Sequence, residues 1–169
     1  MKNILSMSFF NRQKAAAASD GATGSGLSKI SDSVAFKGLT VLLVDDSRTQ
    51  LYAMEKMLNA AGILTITAEN GKQGILMARH KQPDVILMDI VMPEINGFQA
   101  TRYLTRHEDT AHIPIIIISG SNQESDKAWG LKLGARDFMH KPVNKDELFG
   151  KLGLLINERS MSERAKHAS

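Results

Sequence analysis

The stretch VLLVDDS, residues 41–47, decides the fold class and raises the question of function. Its four apolar residues predict a buried strand, and Ser47 can cap a following helix. Between strand and helix stand Asp45 and Asp46, two adjacent carboxylates that repel each other. A strand followed by a helix is the repeating unit of α/β folds. The acidic pair indicates a site, because its two negative charges need compensation by a positive charge.

The strand–helix unit recurs five times between residues 39 and 156. Short apolar runs predict strands at 39–44, 63–67, 85–89, 114–118 and 137–139. Segments with helical apolar spacing lie between them and are expected to begin near Ser47, Asn70, Asn96, residue 122 and Asn144. Strands that are apolar throughout are typical of a parallel sheet covered on both faces. The sequence therefore predicts a doubly wound, five-stranded parallel sheet with five helices.

The composition indicates one folded domain between two polar or flexible ends. The Ala-, Ser- and Gly-rich residues 1–38 predict a flexible N-terminal extension, and residues 157–169 predict a polar C-terminal tail. The net charge of +3 comes from these ends, because residues 39–156 hold 13 basic and 14 acidic side chains. Such a domain has no basic face for nucleic acid.

Several other classes of protein lack their residues here. The chain has no cysteine, which excludes disulfides and thiolate metal sites and fits a cytoplasmic protein. No apolar run is long enough to cross a membrane. There is no GxxxxGK[ST] loop for nucleotide phosphates, and the five histidines show no spacing typical of metal ligands.

Polar side chains follow the predicted strands at the edge where such folds bind ligands. Asp45 and Asp46 end the first strand, Asp89 the third and Ser119 the fourth, while Lys141 follows the fifth. Three carboxylates cannot all stay ionised at one place without a cation, and Mg²⁺ prefers oxygen ligands. A dication, an ammonium and a hydroxyl aimed at one point suit a phosphoryl group.

Asp89 is the candidate nucleophile, because an aspartate can accept a phosphoryl group as an acyl phosphate. Asp84 and Asp137 are rivals by residue type, but both stand at the start of their strands and are expected at the opposite edge of the sheet. Taken alone, the acidic pair before Ser47 would be explained by helix capping and by the helix dipole. The convergence of all these groups on one edge favours a phosphoryl site.

Four motifs, LLVDDS (42–47), ILMDIVMPEINGF (86–98), IIIISGS (115–121) and FMHKP (138–142), resemble the receiver domains of bacterial two-component response regulators. The resemblance covers about residues 39–156 and implies a flavodoxin-like sheet with strand order 2-1-3-4-5. It also implies that a sensor histidine kinase phosphorylates Asp89. Asp45 and Asp46 would hold Mg²⁺ together with Asp89 and the main-chain carbonyl of Val91.

The resemblance assigns three further positions. Ser119 resembles the switch hydroxyl that bonds the phosphoryl oxygen, and Lys141 would pair with the phosphoryl group across a cis bond to Pro142. Phe138 stands at the aromatic switch position and is expected to turn inward on activation. It lacks the hydroxyl that some members carry there.

The segments 96–114 and 121–143 are similar to those of chemotaxis-type, single-domain regulators of type IV pilus twitching motility. With no effector domain, the output is expected to be protein binding through helix four, strand five and helix five, about residues 122–156, by a monomer or weak homodimer. We expect a switch and not an enzyme. Two alternatives stay open: a magnesium-dependent phosphohydrolase, which would need a carboxylate where Val91 stands, and a constitutive scaffold.

Overall fold

A computed structural model describes residues 36–167 of the chain and shows five parallel strands alternating with five helices. The strands are β1 (Thr40–Val44), β2 (Leu64–Ala68), β3 (Val85–Asp89), β4 (Ile115–Ser119) and β5 (Asp137–His140). The helices are α1 (Arg48–Asn59), α2 (Gly71–Lys81), α3 (Gly97–Arg106), α4 (Glu124–Lys132) and α5 (Lys145–His167). The sheet order is β2-β1-β3-β4-β5, which confirms the predicted fold and strand order.

Polar caps start α1, α2 and α3 where the sequence predicts them, whereas α4 begins at Glu124 with no side-chain cap. The Ser47 hydroxyl accepts a hydrogen bond from the Gln50 amide, and the Asn70 side chain accepts one from the amide of Gln73. Asn96 forms a full capping box with Gln99 at the start of α3. These bonds satisfy amide groups that a helix leaves unpaired in its first turn, so each strand passes into its helix through a short loop.

Two apolar cores lie on the two faces of the sheet. Alternate residues of β1 point to opposite sides: Leu42 and Val44 belong to one core, and Val41 and Leu43 belong to the other. Every residue of β3 and β4 is buried, as expected for central strands covered by helices on both sides. With both faces occupied by packing, the edges of the sheet are left for polar groups.

The folded unit extends beyond residues 39–156 at both ends. Phe36, which the composition places in the extension, is 5% exposed and its ring lies 5.4 Å from that of Phe149. Residues 1–35 lie outside the described part. Helix α5 continues from the domain into the polar segment as far as His167. None of the helices from residue 36 to 167 is both long and apolar enough to span a bilayer.

Candidate functional site

Three carboxylates meet at the carboxyl edge of the sheet. Asp45 and Asp46 follow β1 directly, and Asp89 is the last residue of the neighbouring strand β3. Each offers an oxygen to one cluster, and these oxygens lie within 4.8 Å of one another. Asp89 is buried, Asp45 is half-buried and Asp46 is exposed, so the cluster opens to solvent on one side.

Lys141 reaches this cluster from the end of β5. Its Nζ lies 2.7 Å from Asp89 Oδ1 and 2.8 Å from Asp45 Oδ2. Burial by itself lowers the pKa of Lys141, but its hydrogen bonds to Asp45 and Asp89 outweigh this, and the pKa is raised. The side chain therefore stays protonated as a fixed positive charge between two strands. The Lys141–Pro142 peptide bond is cis, as the resemblance implies.

Burial has the largest effect on the pKa of Asp89. Removal from water raises the pKa of this carboxyl, and the neighbouring charges of Asp45 and Asp46 raise it further. The hydrogen bond and positive charge of Lys141 act in the opposite direction without cancelling the increase. An ionised Asp89 is thus under-compensated at this site, and an additional cation would relieve it.

The hydroxyl and the aromatic ring are both buried beside this edge. Ser119, at the end of β4, is 1% exposed, and its Oγ accepts a hydrogen bond from the Ser121 amide at 3.0 Å. The Lys141 amide donates to the Ser119 carbonyl at 2.7 Å, which ties the two strand ends together. Phe138 is 4% exposed, so its ring occupies an inward position in this structure.

A family model of the response regulator receiver domain matches residues 41–152. The chain belongs to the response regulator receiver family. This match covers more than half of the chain and includes β2 to β5, all of β1 except Thr40, and every residue of the site described above.

Two relatives differ in the share of their length that this receiver matches. It is 47% identical over 116 residues to protein PilH of Pseudomonas aeruginosa, a match that covers 69% of this chain and 96% of PilH. It is 35% identical over 112 residues to the response regulator PleD of Caulobacter vibrioides, but that match covers only 25% of PleD. The first relative is similar over nearly its whole length, and the second over one part.

Solved receiver structures share the fold. The receiver domain of the sensor histidine kinase PA1611 from Pseudomonas aeruginosa has a TM-score of 0.66 at 30% identity, covering 71% of this chain and 98% of that one. That structure has a magnesium ion coordinated in its active-site cleft. The Vibrio cholerae chemotaxis protein CheY4 has a TM-score of 0.65 at 27% identity, covering 69% and 98% of the two chains.

The site of this receiver has the donors that magnesium prefers. Three carboxylate oxygens within 4.8 Å form a hard, anionic set. Burial, followed by the charges of Asp45 and Asp46, raises the pKa of Asp89 in this set. Receiver domains bind Mg²⁺ in such an acidic pocket. Val91 follows Asp89 by two residues, with a side chain that is 74% exposed; its main-chain carbonyl as a ligand stays a prediction.

The two rival aspartates lie at the amino edge of the sheet and carry structural contacts. Asp84, before β3, accepts a hydrogen bond from the Thr40 amide at 2.8 Å and forms an ion pair with Arg159. Asp137, the first residue of β5, binds Lys151 Nζ at 2.8 Å. Neither belongs to the acidic cluster, in agreement with their position in the sequence.

Two residues of this region were not singled out from the sequence. A Cβ on Gly97 would collide with the carbonyl oxygen of Asp89, so only glycine lets α3 start against the end of β3. The Asn96-Gly97 pair before a helical segment was a readable signal for that turn. His140, beside Lys141, contacts both Ser121 and Phe138. The contact between His140 and Ser121 joins residues 19 positions apart, so no local sequence pattern predicts it.

Proposed function

We propose that this receiver is a phosphorylation-controlled switch in which Asp89 is the phosphoacceptor. The observation that carries the proposal is the position of Lys141 Nζ, 2.7 Å from Asp89, within a cluster of three carboxylates. An ammonium and a dication at that place would neutralise the oxygens of an incoming phosphoryl group. The donor is a sensor histidine kinase, since receiver domains accept phosphoryl groups from such kinases.

In the transfer step, an Asp89 carboxylate oxygen forms a bond to phosphorus as the phosphorus–nitrogen bond of the donor phosphohistidine breaks. The electron pair of that bond returns to the imidazole, which takes up a proton, and Asp89 becomes an acyl phosphate. Lys141 and Ser119 orient the phosphoryl oxygens. Asp45, Asp46, Asp89 and the Val91 carbonyl would hold Mg²⁺, which would supply charge neutralisation at those oxygens.

The output is phosphorylation-dependent protein binding. Phosphorylation adds charge and acceptor oxygens next to Ser119, which draws the β4–α4 loop towards Asp89 and favours the inward Phe138. The change reaches the face formed by α4, β5 and α5. This face carries exposed apolar side chains suited to a partner: Trp129, Leu131 and Leu154. The receiver acts there as a monomer or a weak homodimer.

The pathway is a chemosensory or type IV pilus motility pathway in the cytoplasm. Support comes from the 47% identity to PilH, a type IV pilus-related regulator, over 96% of that protein. A knockout in the source organism that abolishes twitching, and is rescued by wild type but not by Asp89→Asn, would support this assignment. Normal twitching without the gene would contradict it.

The chemistry is tested by labelling with radioactive acetyl phosphate in the presence of Mg²⁺. We expect the wild type to take up a hydroxylamine-labile label and Asp89→Asn to take up none. The matched control is Asp84→Asn, which removes a carboxylate from the opposite edge and should label like the wild type. Equal labelling of the wild type and Asp89→Asn would refute Asp89 as the acceptor.

A further inference from the structure

A continuous series of contacts connects the candidate switch hydroxyl with the candidate switch ring. The Ser119 Oγ accepts from the Ser121 amide at 3.0 Å, and the Ser121 carbonyl oxygen lies 2.9 Å from His140 Nδ1. The His140 ring then packs edge-on against Phe138, with ring centroids 5.2 Å apart and an interplanar angle of 69°. Ser121 and His140 thus join the β4–α4 loop to β5.

The hydrogen bond fixes the chemistry of His140. A carbonyl oxygen can only accept, so Nδ1 of the imidazole carries the proton in this contact. The edge-on packing against Phe138 is the favourable arrangement for two aromatic rings. The half-buried imidazole therefore has two separable functions, one through its Nδ1–H and one through its ring.

The inward position of Phe138 has its own space in the core. Gly130 on α4 faces the ring, and a Cβ at this position would lie 3.7 Å from Phe138 Cδ2 and only 2.7 Å from Ile117 Cδ1. The lack of a side chain at Gly130 thus leaves room for Ile117 Cδ1, while the Phe138 ring packs close to this helix. The contact between His140 and Ser121 is present together with this inward ring.

We propose that His140 is a positioning residue whose Nδ1–H latches the β4–α4 loop, residues 120–123, to β5. The latch holds Ser121, and through it the Ser119 hydroxyl, in the conformation that has Phe138 inside. It therefore raises the population of the state that accepts the phosphoryl group. This inference deepens the proposed function and rests on it.

Two substitutions of His140 separate the effect of its hydrogen bond to Ser121 from the effect of its ring, and a third substitution is a control. His140→Asn keeps an N–H donor at the same distance from the backbone as Nδ1 but removes the ring. His140→Phe keeps an aromatic ring against Phe138 but removes the donor. His80→Phe is the matched control, because His80 is exposed in the last turn of α2. Urea unfolding midpoints establish that each variant is folded before it is compared.

The latch itself is measured by hydrogen exchange of the amides of residues 120–123, without Mg²⁺ or a phosphoryl donor. A single neutral hydrogen bond changes such an opening equilibrium about 3- to 10-fold. We expect exchange to accelerate by that factor in His140→Phe and to stay within about twofold of wild type in His140→Asn and His80→Phe. Unchanged exchange in His140→Phe would overturn the latch.

The effect on the reaction is measured as the initial rate of labelling by acetyl phosphate with Mg²⁺. We expect His140→Phe to be slower by about 3- to 10-fold and His140→Asn to restore the rate. If the wild type is labelled and His140→Phe is labelled equally fast, the positioning role of His140 is overturned but the proposed function is not. The same holds if His140→Asn is labelled as slowly as His140→Phe. A wild type that takes no label would overturn the proposed function as well.

Discussion

A single ammonium group, that of Lys141, forms ion pairs with two carboxylates at the ends of different strands. It is 2.7 Å from Asp89 and 2.8 Å from Asp45, and its side chain is 21% exposed. At this depth the interaction is poorly screened by salt. Lys141 thus contacts two of the three carboxylates of the acidic cluster that would hold a metal ion.

Lys141→Met should therefore separate the two roles of this residue. We expect labelling by acetyl phosphate to fall by about tenfold or more, because no ammonium stabilises the transferred group. Mg²⁺ should bind more tightly, because both carboxylates lose their competing partner; calorimetric titration measures this. Lys151→Met is the matched control, since Lys151 pairs with Asp137 at 2.8 Å on the opposite edge. Equal labelling of Lys141→Met and wild type would contradict the assignment.

The raised pKa of Asp89 predicts a pH-dependent cost in stability. Since the folded-state pKa lies above the unfolded one, the stability contributed by this group is complete below the unfolded pKa and is lost as pH rises through the folded pKa. Asp89→Asn should thus have a higher free energy of unfolding than wild type at pH 7 without Mg²⁺. The difference should shrink at pH 4 and also in saturating Mg²⁺.

Urea unfolding of both proteins at the two pH values measures these free energies. A wild type that is as stable as Asp89→Asn at pH 7 in chelator would show that Lys141 fully compensates the acidic cluster, contrary to this prediction.

At the scale of the elements, the close approach of α3 to β3 positions the acceptor strand. Gly97 starts α3, and a Cβ there would lie 2.8 Å from the Asp89 carbonyl carbon and 2.9 Å from Ile90 Cα. Both neighbours are backbone atoms, which cannot turn aside as a flexible side chain can. A shift of the start of α3 would therefore displace the backbone at Asp89.

Gly97→Ala should destabilise the domain by about 1–3 kcal/mol, because overpacking forces the helix away from the strand. Gly150→Ala is the matched control: Gly150 is exposed in α5 and a Cβ there meets nothing within 4 Å. This second change should stabilise the protein by about 1 kcal/mol, since alanine favours a helix over glycine. Unfolding in urea compares the two, and a Gly97→Ala domain as stable as wild type would contradict the close approach.

At the scale of the whole molecule, both ends of the domain pack beyond the boundaries that composition indicates. Phe36 packs in the core between the sheet and α5, next to Phe149. Further along α5, Glu158 pairs with Arg136 at 2.5 Å, and Arg159 pairs with Asp84. The amino edge of the sheet is thereby tied to the helix that borders the proposed output face.

Phe36→Ala should lower the free energy of unfolding by about 3 kcal/mol, the cost of removing a buried phenyl ring. Leu154→Ala, on the exposed side of α5, should change it by less than about 0.5 kcal/mol. If Phe36→Ala proved as stable as wild type, the folded unit would begin after this residue. Thermal or urea unfolding of both variants tests whether the folded domain includes Phe36.

The sequence by itself determined the alternation of strands and helices and the polar residues at the strand ends. Both are local signals: apolar periodicity distinguishes strand from helix, and Ser47, Asn70 and Asn96 mark helix starts. A parallel sheet places all strand ends at one edge, so Asp45 and Asp89 could be brought together without a structure.

Only the tertiary structure decided which distant residues touch. The packing of Phe36 on α5, the continuation of α5 to His167 and the contact of His140 with Ser121 depend on how helices and loops settle against the sheet. Such contacts join residues far apart in the chain, and their geometry follows from strand register and helix packing, which apolar periodicity does not encode.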